Sequence, residues 1–201
     1  VSLMKRSFKK ILFNSLKKLS RHIHYVSINA IDRLKGRNGM IPPRSMIFTG
    51  GGDFEKIGLE FRGYFTDLAD LKPSDKVLDV GCGLGRMAVP LTSYLHEKGG
   101  YWGFDIVREG VLWCKNRIAK KFNNFHFLHS DVYNKHYNPS GNVKARDYRF
   151  PFENECFDFV FLTSVFTHML PVDVENYLSE ISRVLRPGGK CLITFFLLND
   201  E

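Results

Sequence analysis

The 201-residue chain is 44% hydrophobic and 25% charged, enough apolar material for one packed α/β domain, with no Pro/Ser-rich linker to divide it in two. Its net charge of +8 would point to a nucleic-acid partner if it were spread evenly, but residues 1–40 hold ten basic side chains against Asp32 alone, so this extension carries +9 and the rest is near neutral. Cys82, Cys114, Cys156 and Cys191 lack CxxC or zinc-finger spacing, which argues against a disulfide scaffold or metal site and for the reduced thiols of a cytoplasmic protein.

From Met4 the apolar residues recur as Met4, Phe8, Ile11, Leu12, Leu16, Leu19, Ile23 and Val26, with Lys and Arg between them. That period predicts a basic amphipathic helix or helix pair ending before Gly36, Gly39, Pro42 and Pro43. Packing on its own domain and peripheral contact of residues 1–36 with an anionic membrane are both open readings of it. Asn14, Ser15, Lys17 and Lys18 break any signal-peptide core, so export is not expected. A second helix is expected from Asp53, as N-cap, to Leu71, with Phe54, Ile57, Phe61, Phe65 and Leu68 on one face.

Short β-type runs then alternate with helical stretches: KVLDV (76–80), YWGFD (101–105), FHFLH (125–129), FDFVFL (157–162) and KCLITFFLL (190–198). The apolar part of the last, at 191–198, falls well short of the roughly 20 residues that cross a bilayer. Between the second and third runs, Val107, Val111, Leu112, Ile118 and Phe122 form a helical stripe. Between the fourth and fifth, PVDVENYLSEISRVLRPGG predicts a helix from Pro171 to a stop at Pro187-Gly188. The expected fold is therefore α/β: a Rossmann-like, doubly wound, mostly parallel sheet with helices on both faces, preceded by N-terminal helices. Three regions follow: a basic helical extension (1–40), a helical segment covering the ligand site (41–75) and the core (76–201).

VLDVGCGLGR (77–86) places Gly81, Gly83 and Gly85 directly after a strand that contains Asp79. A strand, a glycine turn and a helix start bring main-chain amides to the carboxyl edge of a parallel sheet, where open α/β folds bind ligands. The dinucleotide fingerprint G-x-G-x-x-G would need glycine at 86, and that residue is Arg86. An acid beside the loop suits a ligand ammonium group better than a pyrophosphate. A nicotinamide oxidoreductase of this architecture is thereby disfavoured.

The same stretch resembles the first motif of the class I S-adenosylmethionine-dependent methyltransferases of the small-molecule type. GFDI (103–106), SDVYN (130–134), FPFENECFDFVFLTSVFTHML (150–170) and ISRVLRPGGKCLI (181–193) agree with further motifs in the same order. The resemblance implies in-line methyl transfer from S-adenosylmethionine, giving S-adenosylhomocysteine, to oxygen or nitrogen of a small-molecule acceptor. It also implies a binding set of Asp79, Gly81, Cys82, Gly83, Gly85 and Arg86, with Thr163 after the fourth strand. Asp105 would accept both ribose hydroxyls, Asp131 the adenine amino group, and Ile106 and Val132 would flank the ring; Asp105 taken alone reads equally as a helix cap. His168, after the fourth strand, is the candidate general base, with loop capping as its structural alternative.

The Asn/Asp-Pro-Pro-Tyr/Phe motif of amino-directed nucleic-acid methyltransferases is absent from LTSVFTHM, so nucleic acid is not the expected acceptor. The segment 134–149 reads as either a lid or a solvated insertion. The family adds a helix and an antiparallel strand pair after the fifth strand, whereas this sequence stops at LLNDE. The expectation is a missing strand pair and an exposed fifth-strand edge, explained either by a sequence that is a piece of a longer chain or by another chain that covers the edge, which allows oligomerisation. The alternative to catalysis is a non-catalytic S-adenosylmethionine-binding adaptor, tethered to membrane or RNA through the basic helix.

Overall fold

The computed structural model describes residues 39–195 except Thr49. The basic helix expected from Met4 onward, and the membrane contact read from it, fall outside the described residues, as do positions 196–198 of the expected last strand. The chain divides into two compact units between Gly51 and Gly52. Among its described residues the first has one regular element, a 3₁₀ turn at Arg44–Met46. The second carries the sheet, together with the helix α1 (Phe54–Asp67) that precedes it.

Five strands, β1 (Lys76–Val80), β2 (Gly100–Asp105), β3 (Phe125–His129), β4 (Phe157–Leu162) and β5 (Leu185–Ile193), form one sheet in the order β3-β2-β1-β4-β5. Every pairing is parallel. The connections carry α2 (Ala88–Leu91), α3 (Arg108–Cys114), which continues as a π-helical turn over Lys115–Ala119, and α4 (Pro171–Val184). Among the described residues, no helix is long and apolar enough to cross a membrane.

Register fixes the two faces of the sheet, because side chains alternate along each strand. Val77, Asp79, Tyr101, Phe159 and Phe161 share one face, where Phe65 of α1 meets Phe159 and Phe161 at ring distances of 5.3 and 4.4 Å. Leu78, Val80, Phe104, Val160 and Leu162 point the other way, into a cluster completed by Tyr177, Ile181 and Val184 of α4 and by Phe150. α1 begins where expected, with the Asp53 carboxylate accepting the Lys56 N–H at 2.9 Å. It ends at Asp67, short of the expected Leu71, so Leu68 lies past the helix and is 74% exposed, while Gly58 takes a buried place on the inward face. In α3, Leu112 is 47% exposed, and Gly110 and Cys114 take inward positions beside Val111 and Ile118.

The expected run of α4 to Pro187-Gly188 is corrected: the helix ends at Val184, and Leu185 is already extended and paired with Phe157. Pro187 disfavours helical backbone at the residue before it, so the chain turns into β5 early and absorbs the misfit as a register shift opposite Phe157–Phe159. The same helix anchors the segment before β4. Arg183 donates to the carbonyls of Phe150 (3.0 Å) and Phe152 (2.8 Å) and pairs with Glu180, which in turn accepts the Phe150 N–H at 2.7 Å. Segment 134–149 is built: Asn134 and Asn138 exchange main-chain bonds at 3.0 Å, and Asn176 of α4 donates to the carbonyls of Ala145 and Tyr148, each at 2.9 Å.

Because Phe65 is fully buried between α1 and two rings of β4, Phe65→Ala is expected to cost about 3–5 kcal/mol of stability. Urea unfolding followed by circular dichroism would measure it, and a loss under about 1 kcal/mol would show that α1 is not part of the cooperative core.

Candidate active site

The carboxyl ends of β1, β2 and β4 meet at the glycine loop. Gly81 and Cys82 both donate their N–H groups to Phe104 O, at 2.9 and 3.0 Å, so the loop folds directly against the end of β2. Asp105 completes the junction: Oδ2 accepts the Gly83 N–H and Oδ1 the Val107 N–H, each at 2.7 Å. Burial raises the Asp105 pKa, and those main-chain bonds pull it back down. Each carboxylate oxygen keeps a second lone pair, so both can still accept from a ligand.

The glycines differ in their surroundings. A Cβ on Gly81 would lie 2.5 Å from Val165 Cγ2, and one on Gly85 would lie 2.7 Å from Ile118 Cδ1 and 3.0 Å from Cys114 Sγ. A Cβ on Gly83 would meet nothing within 4 Å. The open side of the loop is therefore at Gly83, next to Asp105. Across the loop, α1 approaches so closely that a Cβ on Gly58 would lie 2.5 Å from Arg86 O, and the Arg86 guanidinium sits over the Phe54 ring at 5.3 Å. Partial burial lowers the Arg86 pKa.

Asp79 lies at the end of β1 on the face that carries Tyr101. It is buried; Oδ2 accepts the Tyr101 hydroxyl at 2.5 Å, and Oδ1 has no hydrogen-bond partner. Burial is the main cause of a pKa pushed up to about 8, opposed by the tyrosine bond and reinforced by the Asp105 charge. Such a carboxyl is protonated at neutral pH until a cation approaches it.

The remaining expected residues surround this centre. Ile106 is half-buried after β2, and its carbonyl contacts His129 Nε2 at 3.2 Å. Val132 is buried, while the exposed Asp131 accepts from Asn142 Nδ2 at 2.6 Å. The buried Ser130, directly before Asp131, donates its N–H to Asp105 O at 3.0 Å, which holds the end of β3 against the end of β2. Cys82 is buried against Gly103, and a hydrogen bond with the Cys114 thiol, together with burial, pushes its pKa up. Thr163 is half-buried directly after β4. His168 is exposed, its ring edge-on to Tyr137 at 5.3 Å. Sequence reasoning did not single out Tyr101 as the partner of Asp79, or Val165 as the filler of the slot at Gly81. The only sequence signal for the first is an aromatic at the start of β2, the strand beside β1.

Residues 78–193 match the family model described as methyltransferase domain. The chain belongs to the methyltransferase domain family. It is 34% identical over 126 residues to phthiotriol/phenolphthiotriol dimycocerosates methyltransferase 1 of Mycobacterium ulcerans, covering 63% of this chain and 39% of that protein. To the ubiquinone/menaquinone biosynthesis C-methyltransferase UbiE of Wigglesworthia glossinidia brevipalpis it is 29% identical over 124 residues, covering 62% and 44%. The chain thus spans less than half the length of these curated relatives. The crystal structure of the PH0226 protein from Pyrococcus horikoshii OT3 shares the fold, with a TM-score of 0.55, 21% identity and coverage of 74% of this chain and 61% of that one.

Since Asp105 ties both the methyltransferase loop and the start of α3 to the end of β2, Asp105→Ala should lower the stability of the ligand-free protein by about 3 kcal/mol. An unchanged urea midpoint would show that the Gly83 and Val107 amides are satisfied without it.

Proposed function

We propose that this chain is the catalytic part of an S-adenosylmethionine-dependent methyltransferase whose acceptor is an apolar small molecule. The observation that carries the reading is the buried Asp79, with Oδ1 unpartnered, next to a glycine loop whose open side lies at Gly83 beside Asp105. A ligand with an ammonium group at one end and hydroxyls toward the other fits that donor and acceptor set. Asp79 would hold the ammonium, Gly81 to Gly85 the main-chain side, and Asp105 the ribose hydroxyls. Ile106, Asp131 and Val132 would take the base, with Cys82, Arg86 and Thr163 completing the wall. S-adenosylmethionine supplies a methyl group on a sulfonium centre, already activated for displacement.

The chain's own task is then to align an acceptor and exclude water. Apolar side chains are left exposed on this side of the sheet: Leu170 (67%) and Val172 (44%) lead into α4, and Phe195 (55%) follows β5 with its ring 5.5 Å from Phe166. Two of the curated relatives are named for phthiotriol/phenolphthiotriol dimycocerosates and for ubiquinone/menaquinone biosynthesis, which supports an apolar acceptor. If the acceptor atom is a hydroxyl, His168 is the residue that takes its proton; a carbon or amine acceptor needs alignment alone.

Incubating the protein with methyl-labelled S-adenosylmethionine and a cell extract split between organic solvent and water should place the label in the organic phase. Label confined to water-soluble products would overturn the apolar acceptor. Calorimetry should show S-adenosylhomocysteine binding whose affinity climbs with pH between 6 and 8, approaching about tenfold per unit, because the ammonium forces a proton from Asp79. Asp79→Asn should flatten that rise. In the ligand-free protein the sign for stability is the opposite. A folded-state pKa lifted from 3.8 to about 8 gives a contribution complete below the unfolded value and lost as pH rises through that window. A wild-type affinity independent of pH would remove Asp79 from the ammonium site.

A further inference from the structure

The turn after β4 carries a conformational constraint that the functional reading leaves unused. Ser164 has φ of 59°, in the left-handed region that a residue with a Cβ rarely adopts. Its N–H donates to Thr194 Oγ1 at 2.8 Å, and the Thr194 N–H donates to Leu162 O at 3.1 Å, so the residue following β5 clamps the end of β4. The Thr167 hydroxyl donates to Ser164 O at 3.1 Å, closing the turn from the other side.

Two consequences follow along the chain. Val165, directed by the turn, fills the space a Cβ on Gly81 would need, with Cγ2 at 2.5 Å from that position. His168 donates its N–H to Val165 O at 3.0 Å, and its ring meets Tyr137 edge-on at 76°. One side of Val165 thus touches the glycine loop, and its carbonyl holds His168, the general-base candidate of the proposed function. Ser164 is exposed, so water could satisfy its N–H in other conformations. What the Thr194 hydroxyl adds is the selection of this one.

We propose that Thr194 is a positioning residue for methyl transfer: its hydroxyl holds Ser164 in the left-handed turn, which sets Val165 against Gly81 and aligns the segment bearing His168 with the cofactor loop. Thr194 acts through Ser164 and has no role in contacting ligand. The proposal rests on the reading of the glycine loop as the S-adenosylmethionine site.

The test uses the whole chain with methyl-labelled valine, titrated with S-adenosylhomocysteine and followed by NMR. In the wild type the Val165 methyl signals should shift on saturation, reporting the loop through Gly81. Thr194→Ser keeps the acceptor oxygen and should preserve that shift. Thr194→Val keeps the shape without the oxygen and should lose at least about half of it, with ligand affinity changed by less than about threefold. A Thr194→Val response equal to wild type overturns the proposal, as does a Thr194→Ser response matching that of Thr194→Val. Failure of the wild type to bind S-adenosylhomocysteine strikes the functional reading instead. A second measurement needs no variant and decides the matter if Thr194→Val does not fold. Amide exchange at Ser164 in the wild type should be slowed at least about tenfold relative to an unstructured chain, and exchange at the unprotected rate overturns the clamp.

Discussion

The site depends on one carboxylate with both oxygens committed to the main chain. Asp105 holds the Gly83 amide on one side and the Val107 amide on the other, and so fixes the glycine loop and the start of α3 relative to the end of β2. Hydrogen bonds to a charged acceptor are worth roughly 1.5–3 kcal/mol each, against about 1 for neutral pairs, so the junction is stiff where a ligand must be met without rearrangement. Phe104 O, accepting from both Gly81 and Cys82, adds a second bolt one residue earlier. Ser130 extends the arrangement to β3 through Asp105 O. The ends of three strands are thereby held together by main-chain contacts that no side-chain substitution on the loop could replace.

That stiffness changes how the glycines are understood. A run of three glycines in five positions suggests a ligand lying close to all of them, yet the neighbours of Gly81 and Gly85 are the protein's own side chains: Val165 at the first, Ile118 and Cys114 at the second. Only Gly83 faces open space. Two of the glycines let other parts of the chain approach the loop, and one leaves room for a ligand. The contact at Gly81 ties the loop to the turn after β4, which carries Val165.

Much of this was legible in the sequence and some of it could not be. β1, β3 and β4 occupy the residues their patterns indicate, and β2 begins one residue early at Gly100, because buried strands are written as local apolar runs. Asp53 caps its helix as a side chain of that type at that place should. Leu68 misleads because α1 ends at Asp67, just before it, and Leu112 because helical periodicity names a stripe without saying how wide its covered part is. The start of β5 is misplaced because Pro187 marks a helix limit without saying how far upstream the helix stops. The bonds between Tyr101 and Asp79 and between Asn142 and Asp131, and the packing of Val165 on Gly81, join residues distant in sequence or on different elements; no local pattern encodes them.

Electrostatics narrows the ligand further than fold does. Parallel α/β sheets bind phosphates and sulfonium nucleosides at the same edge, so architecture alone leaves a nicotinamide cofactor and S-adenosylmethionine level. Here two carboxyl groups stand at that edge, and the charge of Asp105 is one of the causes that raise Asp79. A pyrophosphate brought to the loop would add negative charge beside both acids, in surroundings where burial already penalises ionisation. Arg86 offers no simple remedy, since its guanidinium is engaged over the Phe54 ring. A cation has the reverse effect: it would offset the repulsion that arises when Asp79 ionises beside Asp105, and it would give Oδ1 the partner it lacks. On the proposed reading, the same buried acid, protonated while the site is empty, would favour a positively charged ligand over a pyrophosphate.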